Sequence, residues 1–210
     1  MSLDFHDKMI VAHAVLAGLA ALITAPAAIL IGRYFRSRQW WFKAHLFLQI
    51  ITAIFIITLF AVGLLAVASG GNGNQLTGPK KDPHHDIGLA IAVLFLLQFV
   101  LGIGAHLTHS AGPGKYTLTT PKSPLRHVHV GMGLVVTALL YAGVKTGMDE
   151  WNNVSDAKTL VPKGVEVVYW VLFALAVAAY LFGWILEPMR AASRESSVVG
   201  SEEKVDGWRA

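Results

Sequence analysis

Nine histidines stand in this 210-residue chain, and four of them, His13, His45, His84 and His129, lie near the starts of four separate apolar segments. An ionisable side chain within a membrane segment is costly and is retained where it performs a task. Imidazole ligates transition metals as a neutral base, so four histidines, one per segment, can bind two haems through paired imidazoles. Two imidazoles on one iron fill both axial positions and leave none for oxygen or substrate; such a centre passes electrons. A lone membrane histidine can instead bond a backbone carbonyl of a neighbouring helix. Repetition at matched depths favours ligation. The chain has no cysteine, which excludes disulfides, cysteine-ligated clusters and covalent haem attachment through CxxCH.

Positioning these residues requires membrane helices. With 54% hydrophobic and 14% charged residues, the chain is too apolar for an ordinary soluble domain and fits a small polytopic membrane protein. The formal net charge is +4, yet the basic residues cluster at the ends of apolar segments and form no stripe with interleaved aromatics, so nucleic acid is not a partner. About 20 helical residues cross a hydrocarbon core. Five stretches meet or approach that length: Met9 to Ile31, Phe42 to Ala68, Ile87 to Leu107, Val128 to Val144 and Val165 to Leu186. The first is longer than a signal-peptide core and follows Asp4 and Asp7, so it is retained. The fourth is the shortest and carries Gly131, Gly133 and Gly143, with Pro124 as a helix start just upstream.

Ser69 to Asn74 breaks the second helix, Ala111 to Gly114 follows the third, and Pro188 stops the fifth. The expected organisation is a short N-terminus (1–8), a four-helix core (9–147), a fifth membrane helix (163–188) and a polar, disordered tail (189–210). Eleven of the 17 Lys and Arg residues, Arg33, Arg36, Arg38 and Lys43 among them, fall in the first and third loops and the tail. That asymmetry places the N-terminus outside and the C-terminus in the cytosol.

In an up-down-up-down bundle the first and third helices are parallel, as are the second and fourth. His13 and His84 therefore share the outer side, and His45 and His129 the inner side. At 1.5 Å per residue the two pairs are separated by roughly 20 Å along the membrane normal. A macrocycle between helices also needs small neighbours. Gly63 and Gly143 offer room on the outer side, and Gly102, Gly104, Ala27 and Ala28 on the inner side. Close helix packing uses the same residues.

Several segments carry a family resemblance: His13-Ala14; Pro26 to Phe35 (PAAILIGRYF); Trp41 to Gln49 (WFKAHLFLQ); His84 to Leu89 (HHDIGL); Gln98; and Arg126 to Gly133 (RHVHVGMG). In this order they resemble the cytochrome b561 family, in particular the membrane core of members joined to a DOMON domain. The resemblance covers Met9 to about Gly147. It implies an all-α integral membrane fold, with a four-helix haem-binding bundle plus a fifth transmembrane helix. It further implies two non-covalent haem b groups with bis-histidine ligation, His13 with His84 and His45 with His129. The implied activity is electron transfer from a cytosolic donor, commonly ascorbate, to an outer acceptor: a ferric chelate, a radical or a DOMON-type domain. An ascorbate-dependent or ferric-reductase type of oxidoreductase follows. The lipid bilayer is a partner in any case, and a homodimer is left open. The family's His-x-x-x-Gly spacing selects His84, through Gly88, over His85. It fits both His127 with Gly131 and His129 with Gly133, of which His129 lies deeper from Pro124.

Arg33, Arg36, Arg38 and Lys43 form a basic inner rim that anchors the chain with Trp40 and Trp41; Arg33 and Lys43 are also candidates for a haem propionate or an anionic donor. Gln49, one turn beyond His45, is a candidate for a propionate or a neighbouring helix. His106 and His109 read as interfacial residues, Tyr141 and Trp170 as packing, and Glu166 as exposed. His6, His85 and Asp86 do not define a metal site. Two other classes of function compete with electron transfer: a membrane anchor or assembly subunit with structural haem, and a proton-linked transporter with histidine relays. The transporter predicts carboxylates inside the spans, and these are missing.

Overall fold

A computed structural model describes residues 4–69, 83–110, 124–154 and 160–206; side chains are described up to 106 in the second of these stretches, up to 153 in the third, and at 160–183 and 185 in the last. Residues 70–82, 111–123 and 155–159, on which the expected loop breaks and part of the Lys and Arg count fall, lie outside it. Among the described residues every regular element is helical: α1 (Phe5–Gly18), a π-helical stretch (Leu19–Thr24), α2 (Ala25–Tyr34), α3 (Trp41–Ser69), α4 (Pro83–Ser110), α5 (Pro124–Val154) and α6 (Lys163–Asp206). The first three form one continuous rod. Among the described residues five helices are long and apolar enough to cross a membrane, Phe5–Tyr34, Trp41–Ser69, Pro83–His106, Pro124–Asn153 and Lys163–Gly183. The molecule is an all-helical integral membrane protein.

Local chemistry accounts for the helix ends. Asp4 caps α1 by accepting the Asp7 N–H at 2.8 Å, and Pro83 and Pro124 open α4 and α5, where a missing N–H costs nothing. The fourth apolar segment, short when read from hydropathy, is the centre of a 31-residue helix. Its three glycines do not interrupt it. The π-helical stretch traces to Pro26, which has no N–H for the Leu22 carbonyl and whose ring crowds that carbonyl. The chain widens by one residue instead, and the Ala25 N–H donates to the carbonyl five residues back, on Ala20. At the other end of the chain, Pro188 was expected to stop the last helix, whereas α6 runs through it to Asp206. The residues beyond it, with Arg190, Ala191, Ala192, Arg194 and Glu195, favour helix strongly enough to continue the turn.

The rod α1–α2 packs along α3, and α4 packs along α5, giving two hairpins. Around the bundle α1 neighbours α3 and α5, and α4 neighbours the same two, so α1 faces α4 across one diagonal and α3 faces α5 across the other. The hairpins close on each other at a central waist of Ala20, Ala21, Ala25, Ile56, Ile91, Phe95, Val136 and Leu140. Ala20 and Ala21, from the π-helical stretch, are fully buried there. Beside them the Thr52 hydroxyl donates to Thr24 Oγ1 at 2.7 Å, and Thr24 in turn reaches the Ala20 carbonyl at 3.5 Å. Thr52 Oγ1 also lies 2.8 Å from the Leu48 carbonyl, so both buried hydroxyls have partners within the bundle.

Helix α6 stays at the periphery. The Tyr34 hydroxyl donates to the Ala179 carbonyl, the Arg33 guanidinium lies 4.6 Å over the Tyr180 ring, and Tyr169 donates to the Tyr141 carbonyl at 3.1 Å. A side chain at Gly183 would collide with Arg33. Most of its apolar residues, such as Val167, Val171, Leu175 and Leu181, remain exposed. That is the surface expected of a lipid-facing helix.

Candidate functional site

Above and below the waist the two diagonals carry one histidine pair each. His13 of α1 faces His84 of α4 with ring centres 5.8 Å apart and planes 78° apart. His45 of α3 faces His129 of α5 at 6.5 Å and 77°. A ligating imidazole nitrogen sits about 2 Å from its metal, so two imidazoles on opposite sides of one ion stand roughly 6 Å apart centre to centre. Both pairs have that spacing. The histidines expected to pair from topology are the ones brought together.

Each ring is set by a neighbouring helix. His13 Nδ1 donates to the Leu59 carbonyl at 2.7 Å, and His45 Nδ1 donates to the Ala28 carbonyl at 2.8 Å. A carbonyl only accepts, so both rings carry their proton on Nδ1 and keep the Nε2 lone pair for a metal. His84 Nδ1 lies 3.2 Å from the Thr146 hydroxyl. His129 Nδ1 is buried without a hydrogen-bond partner, but its backbone carbonyl accepts from Gln98 Nε2 at 2.8 Å. Three of the rings also rest on glycine. A Cβ at Gly32 would meet His45 at 3.3 Å, one at Gly102 would meet His129 at 2.8 Å, and one at Gly147 would meet His84 at 2.9 Å.

The adjacent histidines behave differently. His127 is exposed, while His129 turns inward to His45. His85 points to α5, where its Nε2 lies 3.9 Å from Glu150. The His6 Nδ1 lies 3.0 Å from the Ala66 carbonyl, and the His106 ring stacks on Phe42 at 3.6 Å. The side chain of His109 is outside the described residues. Of the basic candidates, Arg33 reaches α6, over the Tyr180 ring, and Lys43 is exposed at the start of α3. Gln49 is half-buried one turn beyond His45. A Cβ at Gly104 would meet Leu125 at an ordinary 3.5 Å.

A cleft opens beside the first pair, lined by His13, Gly63, His84, Gly88, Gly143 and Ala17. Among the described residues no three His, Cys, Asp or Glu side chains converge on a point. A structural zinc takes four protein ligands, and each pair offers two. Two opposed imidazoles with a cleft between the helices fit a macrocycle that supplies the remaining ligands, so these residues fit haem. The pairs stand at two levels: His13 is bonded to residue 59 of α3 and His45 is residue 45 of the same helix, a separation of roughly 21 Å at 1.5 Å per residue.

Sequence reasoning missed Gly32, Gly147 and Thr146. Their signal was available, since each lies on the hairpin partner of a histidine-bearing helix at the histidine's depth. Gly102 was noticed as room for a macrocycle, and its neighbour proves to be the imidazole itself.

Comparison with known proteins bears on the same helices. No curated protein and no solved structure matches the chain. A family model described as eukaryotic cytochrome b561 matches residues 9–154, a stretch that holds both histidine pairs, the waist and nearly all of the four helices that build them. With more than two thirds of its length under that model, the chain belongs to the cytochrome b561 family, membrane proteins that bind haem b and transfer electrons across the bilayer.

Proposed function

We propose that the His13–His84 and His45–His129 pairs each hold one haem b, and that the chain conducts single electrons across its membrane. The donor is cytosolic, of the ascorbate class, and the acceptor outside is a ferric chelate, a radical or an attached domain. The observation that carries this reading is the pair of ring separations, 5.8 and 6.5 Å, on the two diagonals of one bundle. Held by His13 and His84 or by His45 and His129, haem b would supply a one-electron iron couple.

The protein's part is binding, orientation and exclusion. His13 and His45 are fixed in the ligating tautomer by the Leu59 and Ala28 carbonyls, which also raises the basicity of the rings. Glycines 32, 102 and 147 let three rings approach the facing backbone. The waist excludes water between the levels, so little reorganises when charge moves. The excess of Lys and Arg in the first and third loops and the tail supports an outer position for the His13–His84 pair and an inner one for His45–His129. Lys43, exposed beside the inner pair, suits an anionic donor, and Gln49 a propionate.

The test is a visible spectrum of the purified protein before and after ascorbate, with haem counted per chain. Two low-spin b haems per chain, reduced by ascorbate, are expected. Replacing His45 or His129 with alanine should remove one and leave the other. A protein that stays colourless when produced with ample haem would sink the proposal.

A further inference from the structure

We infer that Thr146 is a positioning residue whose hydroxyl holds His84 in its ligating tautomer. The inference rests on the haem reading of the His13–His84 pair and concerns how this chain sets the second ligand. His13 and His45 give their Nδ1 protons to carbonyls, which can only accept. His84 has a hydroxyl as partner, 3.2 Å away, and a hydroxyl can donate or accept. On its own, that contact leaves the tautomer undetermined.

The rest of the Thr146 environment decides it. Thr146 Oγ1 lies 2.9 Å from the Ala142 carbonyl and 3.2 Å from the Gly143 carbonyl, the back-bonds of a threonine to the preceding helical turn. Both oxygens are acceptors only, so the single hydroxyl proton is committed to α5. What Thr146 turns to His84 is a lone pair, and Nδ1 must donate. Nε2 is then the nitrogen that carries no proton, as in the carbonyl-held rings. Gly147 completes the arrangement. With a Cβ there 2.9 Å from the His84 ring, the imidazole would be pushed out of reach of the hydroxyl. Thr146 and Gly147 thus form a two-residue seat in which one residue selects the proton position and the other provides the space.

A ring held by a partner at Nδ1 is a stronger donor to iron, and removal of such a partner commonly costs 10- to 100-fold in metal affinity. The experiment compares Thr146→Val, which keeps the branched shape and loses the hydroxyl, with Thr146→Ser, which keeps the hydroxyl, and with His84→Ala. Haem affinity and reduction potential are read separately for each site, the His45–His129 haem reporting that the chain is folded. In Thr146→Val, affinity at the His13–His84 site should fall about tenfold or more and its potential should rise, because a less basic ligand stabilises ferric iron less. The other haem should not move, and Thr146→Ser should resemble the wild type. A Thr146→Val protein with wild-type affinity and potential at both sites overturns the inference, and so does a Thr146→Ser protein as impaired as Thr146→Val. If His84→Ala retains both haems, the haem reading itself fails, a result distinct from either.

Discussion

Glycine 102 shows how much of a ligand's position is held by the residue it rests on. The His129 ring lies where a Cβ on Gly102 would be, at 2.8 Å, so Gly102→Ala must displace the ring or part α4 from α5. Overpacking of this kind costs about 1–3 kcal/mol, and here the easier movement is that of the imidazole. Gly102→Ala should lose the haem of the His45–His129 pair and keep the other, as measured by haem per chain and the residual spectrum. His127→Ala should keep both, because His127 faces outward. Whether His127 or His129 is the ligand was ambiguous in the sequence because both satisfy the same glycine spacing. Two residues along a helix turn about 200°, so only one can face the bundle; the facing one is His129. Arg33 was a harder case. Its place in a basic rim suggests an electrostatic role, and the structure adds a contact with the Tyr180 ring of α6, 147 residues later, which no local pattern announces.

At the level of elements, the π-helical stretch governs how the rod meets the rest of the bundle. Pro26 was visible in the sequence as part of a family-like motif, but a hydropathy profile cannot show that the ladder before it is rewired. The widened turn carries Ala20, Ala21 and Thr24 into the waist. Thr52→Val would leave Thr24 only its long contact to the Ala20 carbonyl at 3.5 Å in place of the 2.7 Å hydroxyl pair, and the loss of such a hydrogen bond costs about 0.5–1.5 kcal/mol. A lower unfolding temperature in detergent, with both haems still bound, is the expected result; loss of haem would mean that the hydroxyl pair supports the histidines and not only the packing. Helix α6 answers to a different rule. Gly183→Leu should force Arg33 away from Tyr180 and loosen α6 without removing either haem, observed as faster proteolysis of the C-terminal helix. The five long apolar helices were legible because lipid demands long apolar runs. Their ends were less so, because Pro188 lies beyond the apolar run, where propensity decides.

For the molecule as a whole, the two hairpins use one plan. In each, the histidine near the start of the first helix leans on the end of the second, His13 on Leu59 and His84 on Thr146. The histidine near the start of the second helix leans back on the first, His45 on Ala28 and Gly32, His129 on Gly102. Pairing across the diagonals then follows from bringing two such hairpins face to face. This was legible from topology, since histidine positions and alternating helix directions suffice to sort four residues into two levels. The supporting carbonyls and glycines were not, because they depend on rotation about each helix axis. The waist has a further consequence. If the two pairs hold haems as proposed, an electron passing between the levels would cross a waist of apolar side chains and two bonded threonines, and its transfer would be electrogenic. A full crossing against 100 mV costs about 2.3 kcal/mol, and sites roughly 21 Å apart in roughly 30 Å of hydrocarbon span about two thirds of that field. In sealed vesicles under a potassium diffusion potential, reduction of the far site should slow or quicken with the sign of the voltage; a rate indifferent to it would mean that compensating charge leaks through the centre. On that reading, a waist seated on a helix widened at one proline would make electron transfer answerable to membrane voltage.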